Sequence, residues 1–276
     1  MSYVDAVEKT AVPHPAKYYT PPEFETVNGI PVAYRRQGEG EAVVFLHGAG
    51  FTRRWLPMYE MMANKCDFIA PEAPGFGETP LPGWFRDFSD LSILYDQLFE
   101  QLGLEQIHLI GYSMGGWAAA EFASYYPRRL KSLSLVVPVG LRLEDNPGVD
   151  LFQLSPAELM DRLFNDKSVM AEFMQGMDDF DEGIHLYAEF SAAARLMWAP
   201  RYNLALERRL QRLTCPALVV RAEDDHLIPN EMAEKYAATL PHSRLVMIPE
   251  TGHEPCLERP EQLVGELVSF IEEASK

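Results

Sequence analysis

Six short apolar runs recur along this chain, and segments with helical spacing lie between them. The runs are AVVFLHG from Ala42, DFIAPE from Asp67, IHLIGYS from Ile107, LSLVVPV from Leu133, ALVVRAEDD from Ala217 and RLVMIPE from Arg244. A continuous apolar run of this length suits a strand covered on both faces of a parallel sheet. Between the runs, Leu91, Leu94, Leu98 and Leu102 fall at spacings of three and four, which places them on one helical face. Gly115 to Tyr126 is rich in alanine and stops at Pro127, Asn230 to Leu240 stops at Pro241, and Leu263, Val264, Leu267, Val268 and Ile271 form a last stripe. Strands alternating with helices dictate an α/β fold: a mostly parallel twisted sheet with right-handed crossovers and helices on both faces.

Two features precede this pattern. FETVNGIPVAYRRQG reads as a hairpin, because Asn28-Gly29 supplies the pair of positive φ angles that a tight turn needs. Pro13, Pro15, Pro21 and Pro22 mark residues 1–22 as an N-terminal arm. One stretch breaks the alternation. From Gly140 to Leu213 no run reads as a strand; PAELMDRLF, SVMAEFMQGM, EGIHLYAEFSAAARLMW and NLALERRLQRL read as helices. The expected organisation is a sheet domain over 23–139 and 214–276 with a helical cap inserted at 140–213. The insertion carries Met160, Met170, Met174, Met177, Met197, Phe164, Phe173, Phe180, Tyr187, Phe190 and Trp198. These side chains suit either the block's own core or an adaptable apolar lining for a pocket.

With 276 residues, 47% of them hydrophobic, the chain can bury one large core and carry such an insertion. The formal net charge of −17 repels nucleic-acid phosphates and anionic lipid headgroups, so neither is an expected partner. Three cysteines, Cys66, Cys215 and Cys256, with no CxxC pair, argue against a disulfide framework and against zinc. The first residues lack a cationic start followed by an apolar run, and no apolar stretch approaches ~18 residues, so neither a secretory signal nor a membrane span is expected. A cytoplasmic location and a small-molecule substrate are the expectation.

The chemistry centres on Gly111-Tyr112-Ser113-Met114-Gly115, which follows one strand run and opens a helix. A serine on such a strand-to-helix elbow sits in a strained turn with the helix amides behind its hydroxyl, where they favour developing negative charge. Serine alone is a weak nucleophile and needs a base. Among seven histidines, His14 lies in the arm, His108 in a strand, His185 in the insertion, and His226 and His242 beside turns, while His47 opens a His-Gly motif. His253, in ETGHEPCLE after the last strand, can reach the carboxyl end of the sheet, where parallel sheets bind ligands. RAEDDHLIP offers three acids to orient it: Glu223, Asp224 and Asp225.

HGAGF at His47, APGFGET at Ala73, GYSMGG at Gly111, the D-x-x-x-P pattern at Asp225 and TGHEPCLERPE at Thr251 together resemble the α/β-hydrolase fold superfamily, from about Phe24 to the C-terminal helix. The order Ser, Asp, His is that of this fold. The resemblance implies Ser113 as nucleophile, His253 as base and Asp225 as its orienting acid. It implies an oxyanion hole from the amides of Ala49 and Met114, a helical cap at the insertion, and no metal or cofactor. The side chain of His47 is expected to brace its loop. Gly48, Gly50, Phe190 and Trp198 are the expected substrate-contacting positions.

Haloalkane dehalogenases and epoxide hydrolases of this fold carry aspartate at the elbow, so serine here implies acyl transfer, with carboxylic esters or lactones of small apolar acyl groups as substrates. A carbon–carbon bond hydrolase acting on vinylogous diketones is the alternative. Its members carry a tryptophan soon after the histidine, where this chain reads His253-Glu254-Pro255-Cys256. A slow-turnover ligand receptor shares the same fold.

Overall fold

The computed structural model describes residues 18–50, 52–175 and 180–276. Most of the expected arm, with His14, and also Met177 lie outside that set. Strands β1 (Glu23–Val27) and β2 (Ile30–Gln37) form the hairpin, and Asn28 and Gly29 at its tip have φ of 51° and 79°. The apolar runs become β3 (Ala42–Leu46), β4 (Asp67–Pro71), β5 (Ile107–Tyr112), β6 (Leu130–Val136), β7 (Ala217–Ala222) and β8 (Ser243–Ile248). All eight strands join one sheet in the order β1-β2-β4-β3-β5-β6-β7-β8. β2 runs antiparallel to both β1 and β4, and every pair from β4 to β8 is parallel.

Two apolar cores cover the two faces. On one side α2 (Phe88–Gln101), α3 (Met114–Tyr125), α7 (Leu206–Leu210) and α8 (Asn230–Thr239) contribute Leu94, Leu98, Phe122, Leu210 and Tyr236. On the other α1 (Pro57–Ala63) and α10 (Pro260–Ala274) contribute Met58, Met62, Leu263 and Leu267. β5 lies between them and is buried along its whole length, as its run of apolar residues requires. β8 departs from the expectation of a strand covered on both faces. It ends the sheet, and Leu245 and Met247 are 39% and 41% exposed because no further layer covers that edge.

The insertion holds α4 (Pro156–Leu163), α5 (Lys167–Phe173) and α6 (Phe180–Met197) before α7. Ser155 and Glu158 form a capping box that starts α4, with Pro156 at its first turn, and Asp166 caps α5. Leu159, Leu163, Phe164 and Phe173 build a small core of their own, closed by Leu227 from the loop after β7. The last third of α6, with Ala192, Ala193, Leu196 and Met197, joins the larger core, and α7 packs in the helical layer of the sheet. Cys66, Cys215 and Cys256 are free thiols. Among the described residues no helix is long and apolar enough to cross a membrane.

Candidate active site

The elbow between β5 and α3 forces Ser113 into a backbone conformation of φ 54° and ψ −115°. A non-glycine residue there stores about 1–3 kcal/mol, so neighbours must hold it. They do so from both sides. The Ser113 amide donates to the Val136 carbonyl at the end of β6 at 2.9 Å, and the Ser113 carbonyl accepts from Gly116. The flanking glycines are needed for space. A Cβ at Gly115 would stand 2.0 Å from the Leu46 carbonyl oxygen, and one at Gly111 would stand 2.2 Å from that of Gly115.

His253 comes down from the loop between β8 and α9 (Pro255–Glu258) and is buried. Its Nε2 lies 2.8 Å from the Ser113 Oγ and its Nδ1 lies 2.7 Å from Asp225 Oδ2. The network assigns the tautomer: Nδ1–H donates to the carboxylate, which leaves Nε2 free to accept from the serine hydroxyl. Asp225 is itself aimed by the amides of Leu227 and Ile228, which donate to its other oxygen at 2.9 and 2.8 Å. Asp224 instead accepts from the Asn165 side chain, and Glu223 from the amide of Glu250. Of the three acids open to sequence reading, Asp225 is the one that meets His253. Burial alone would drag the imidazole's pKa down. The charge and hydrogen bond of Asp225, helped by Glu254, outweigh it and hold the pKa above the ordinary 6.5.

The loop after β3 carries Gly48, Ala49 and Gly50 past the elbow. His47 fixes this loop: the amide of Ala73 donates to its Nε2 at 2.9 Å, and its Nδ1–H donates to the Gly48 carbonyl at 2.7 Å. Burial pushes the His47 ring down to about 4, so it stays neutral as a brace. Gly48 is packed so close that a Cβ would lie 2.7 Å from the Tyr112 ring. The amide of Met114 is the first of α3, and neither it nor the amide of Ala49 has an acceptor among the described residues. Ala49 and Ser113 line one cavity, and Met114 follows the serine directly.

A cavity of about 40 Å³ opens at Ser113 and is lined by Ala49, Gly50, Leu159, Leu163, Phe190 and Leu227 among others. Of the expected substrate-contacting residues, Phe190 and Gly50 line this cavity, and Gly48 and Gly50 line an adjoining one. Trp198 does not line either cavity. It follows the last residue of α6 and is 59% exposed, with its ring against Phe152.

Several residues at the site have roles that the motifs did not assign. The Tyr112 hydroxyl donates to the His253 carbonyl at 3.0 Å, and Glu258 accepts from the amide of Gly252 at 2.7 Å and from the Thr251 hydroxyl, which fixes the loop one residue ahead of the histidine. Three consecutive residues after the Gly50 turn grip the insertion. Thr52 donates to Glu189, Arg53 pairs with Glu182 at 3.6 Å, and Arg54 donates to the Phe173 carbonyl while stacking on its ring. Tyr112 lies in the GYSMGG motif and Thr251, Gly252 and Glu258 in TGHEPCLERPE, whereas Thr52, Arg53 and Arg54 lie outside every motif.

Residues 43–266 match the model of the alpha/beta hydrolase family. A pimeloyl acyl-carrier-protein methyl ester esterase of Aeromonas hydrophila subsp. hydrophila is 28% identical over 87% of this chain and 99% of its own. A 2-hydroxy-6-oxo-6-phenylhexa-2,4-dienoate hydrolase of Burkholderia cepacia is 27% identical over 78% of this chain and 82% of its own. The solved structure of a thermophilic esterase from Thermogutta terrifontis superimposes with a TM-score of 0.72 at 26% identity, covering 93% of this chain and 99% of that one.

Proposed function

The chain belongs to the alpha/beta hydrolase family and is a hydrolase, and from that premise we propose that it cleaves carboxylic esters of small, uncharged, apolar acyl groups through an acyl-enzyme on Ser113. The observation that carries the serine mechanism is the continuous line Ser113 Oγ, His253, Asp225 at 2.8 and 2.7 Å. In that line His253 takes the hydroxyl proton as Ser113 attacks the ester carbonyl, and Asp225 stabilises the imidazolium that forms. The carbonyl oxygen, now an oxyanion, receives the amides of Ala49 and Met114, each worth roughly 3 kcal/mol in related chemistry. His253 then returns the proton to the departing alcohol, leaving the acyl group on Ser113. A water molecule repeats the sequence: His253 takes its proton, hydroxide adds to the acyl carbon, and Ser113 leaves with the proton back on its oxygen.

The preference for esters over carbon–carbon cleavage rests on what surrounds the line. A carbanion leaves only if the enzyme holds the carbonyl or enol that takes up its charge, and the dienoate-type substrates also bring a carboxylate. Among the described residues lining the cavity at Ser113 and the one adjoining it, none is lysine or arginine. Four arginines of the insertion are engaged elsewhere: Arg162 with the His226 carbonyl, Arg195 with that of Gly83, Arg201 with Asp150, and Arg142 over the Tyr202 ring. The dienoate hydrolase among the relatives keeps carbon–carbon cleavage as the second reading, since both reactions start from the same three residues.

The test compares kcat/KM for short p-nitrophenyl esters and for a vinylogous 1,5-diketone acid with one preparation, using Ser113→Ala as the blank. Esters are expected to be the better substrates. A preference for the diketone above about tenfold, ~1.4 kcal/mol in transition-state energy, overturns the ester reading.

A further inference from the structure

Glu254 has no part in the chemistry just described, yet it stands inside the site. It follows His253, is 8% exposed, and lines the cavity at Ser113. It also lines the second cavity, about 30 Å³ in volume, which Tyr59, Phe173 and Cys256 enclose behind Gly48. Gly50 and Tyr112 are the other residues common to both, so the two spaces meet at these three positions. A substrate extending from Ser113 into either space passes the Glu254 carboxyl.

The groups facing that carboxyl define its charge. Burial pushes it up to about 7; the neighbouring His253 and the Tyr112 hydroxyl pull it back, and Glu258 and Asp225 push it further up. Tyr59 and Cys256, also against it, are held neutral by burial, and so is His47. Above neutral pH the site therefore contains a carboxylate with His253, when protonated, as a cation beside it and with no lysine or arginine among the described residues that line its two cavities. Taken out of water, such a charge repels another carboxylate with little screening and offers an acceptor to neutral groups.

We infer that Glu254 is the specificity-determining residue of the ester site, admitting uncharged esters and turning away those that carry a carboxylate on the acyl chain. The inference rests on the ester reading. Its probe is a matched pair of equal length, methyl pentanoate and monomethyl glutarate, which differ in a terminal methyl against a carboxylate. Their kcat/KM ratio is measured at about pH 8, one unit above the titration of Glu254. Wild type is expected to prefer the neutral ester by at least about tenfold, and Glu254→Gln to shrink that preference at least about fivefold. Glu144→Gln, exposed and equal in charge change, is expected to leave the ratio alone. A misplaced histidine would slow both esters together and would not move their ratio.

Should Glu254→Gln fail to fold, the unaltered protein supplies the measurement. Butylboronic acid and 3-carboxypropylboronic acid compete for the same serine, and the tenfold or larger advantage expected for the neutral inhibitor at about pH 8 should narrow toward pH 6 as Glu254 gains its proton. Protonation of His253 in the same range also draws the carboxylate, so the pair is repeated with Asp225→Asn, in which that ring titrates lower, and narrowing that survives there belongs to Glu254. A ratio that Glu254→Gln leaves within about twofold of wild type, an equal response to Glu144→Gln, or an inhibitor gap constant over that pH range overturns the inference while leaving ester hydrolysis standing. No turnover of methyl pentanoate by wild type overturns both.

Discussion

Asp224 and Asp225 are neighbours in one loop with the same carboxyl group, and yet the geometry gives them different work. Asp225 receives two amides on one oxygen and His253 on the other, while Asp224 reaches out to Asn165 in the insertion. Asp225→Asn should lower kcat/KM on the order of 10³–10⁴-fold, as it does when the orienting acid of a serine triad is lost. Asp224→Asn should stay within about tenfold of wild type. The reverse order would put the orienting role one residue earlier. The same pair of bonds sets the pH dependence. His253 must be neutral to accept the serine proton, and its pKa lies above 6.5, so kcat/KM should be full at alkaline pH and fall as pH drops through a midpoint above that value. Asp225→Asn removes the charge and the hydrogen bond that raise it, so the residual activity should lose its acid limb at lower pH than wild type. An unmoved or raised midpoint would show that Asp225 does not govern the ring. Serine and histidine were legible in the sequence because each stands in a motif whose setting, strand to turn to helix or strand to loop, limits where it can lie. Glu254 was not legible: a carboxyl becomes functional through what surrounds it, and its surroundings come from segments far apart in the chain.

At the scale of elements, the elbow depends on β3, β5 and α3 approaching more closely than side chains allow. Gly115→Ala would place a methyl against the Leu46 and His47 carbonyl oxygens at 2.0 and 2.5 Å, both backbone atoms that cannot step aside. It should cost more than about 3 kcal/mol or prevent folding. Gly265→Ala, in α10 with nothing within 4 Å of the new methyl, should stabilise the protein by up to about 1 kcal/mol. Urea unfolding of the two variants checks both, and equal effects would remove the argument that packing, rather than glycine's flexibility, fixes the elbow. The grip of the Thr52–Arg54 segment on the insertion belongs to this scale too. Glu189 on α6 accepts from the Thr52 hydroxyl and from the Gly77 amide at 3.0 Å. Glu189→Gln weakens charge-assisted bonds worth about 1.5–3 kcal/mol, so amide exchange along α6 should quicken at least about fivefold while β5 stays protected. Unchanged exchange in α6 would mean that its packing, not this carboxylate, holds it down. The strands were readable because a run of apolar residues has few alternatives in a two-sided sheet. The edge position of β8 and the outward turn of Trp198 were not, since both depend on which neighbour is missing, and a single element does not encode its neighbours.

For the whole molecule, the closed arrangement has a consequence for turnover. The cavity at Ser113 holds about 40 Å³, room for a water molecule or so, whereas small-molecule sites run to about 300 Å³ or more. A substrate needs more room than this cavity offers, and the contacts of Thr52, Arg53 and Arg54 are among those that tie the insertion to the rest of the chain. The active arrangement is equally a property of the whole chain: Ser113 and His253 are 140 positions apart in sequence, and the parallel order β5-β6-β7-β8 brings the carboxyl ends of β5, β7 and β8 to one edge of the sheet. An isolated serine peptide or an unfolded chain has no means of activating that hydroxyl. The most direct test of the account is reaction of the native protein with a fluorophosphonate, followed by intact mass and peptide mapping. The account predicts one adduct, on the peptide bearing Ser113, absent from urea-unfolded protein and lost in His253→Ala. An adduct solely at another residue, or none on protein that is folded and unmodified, would contradict it.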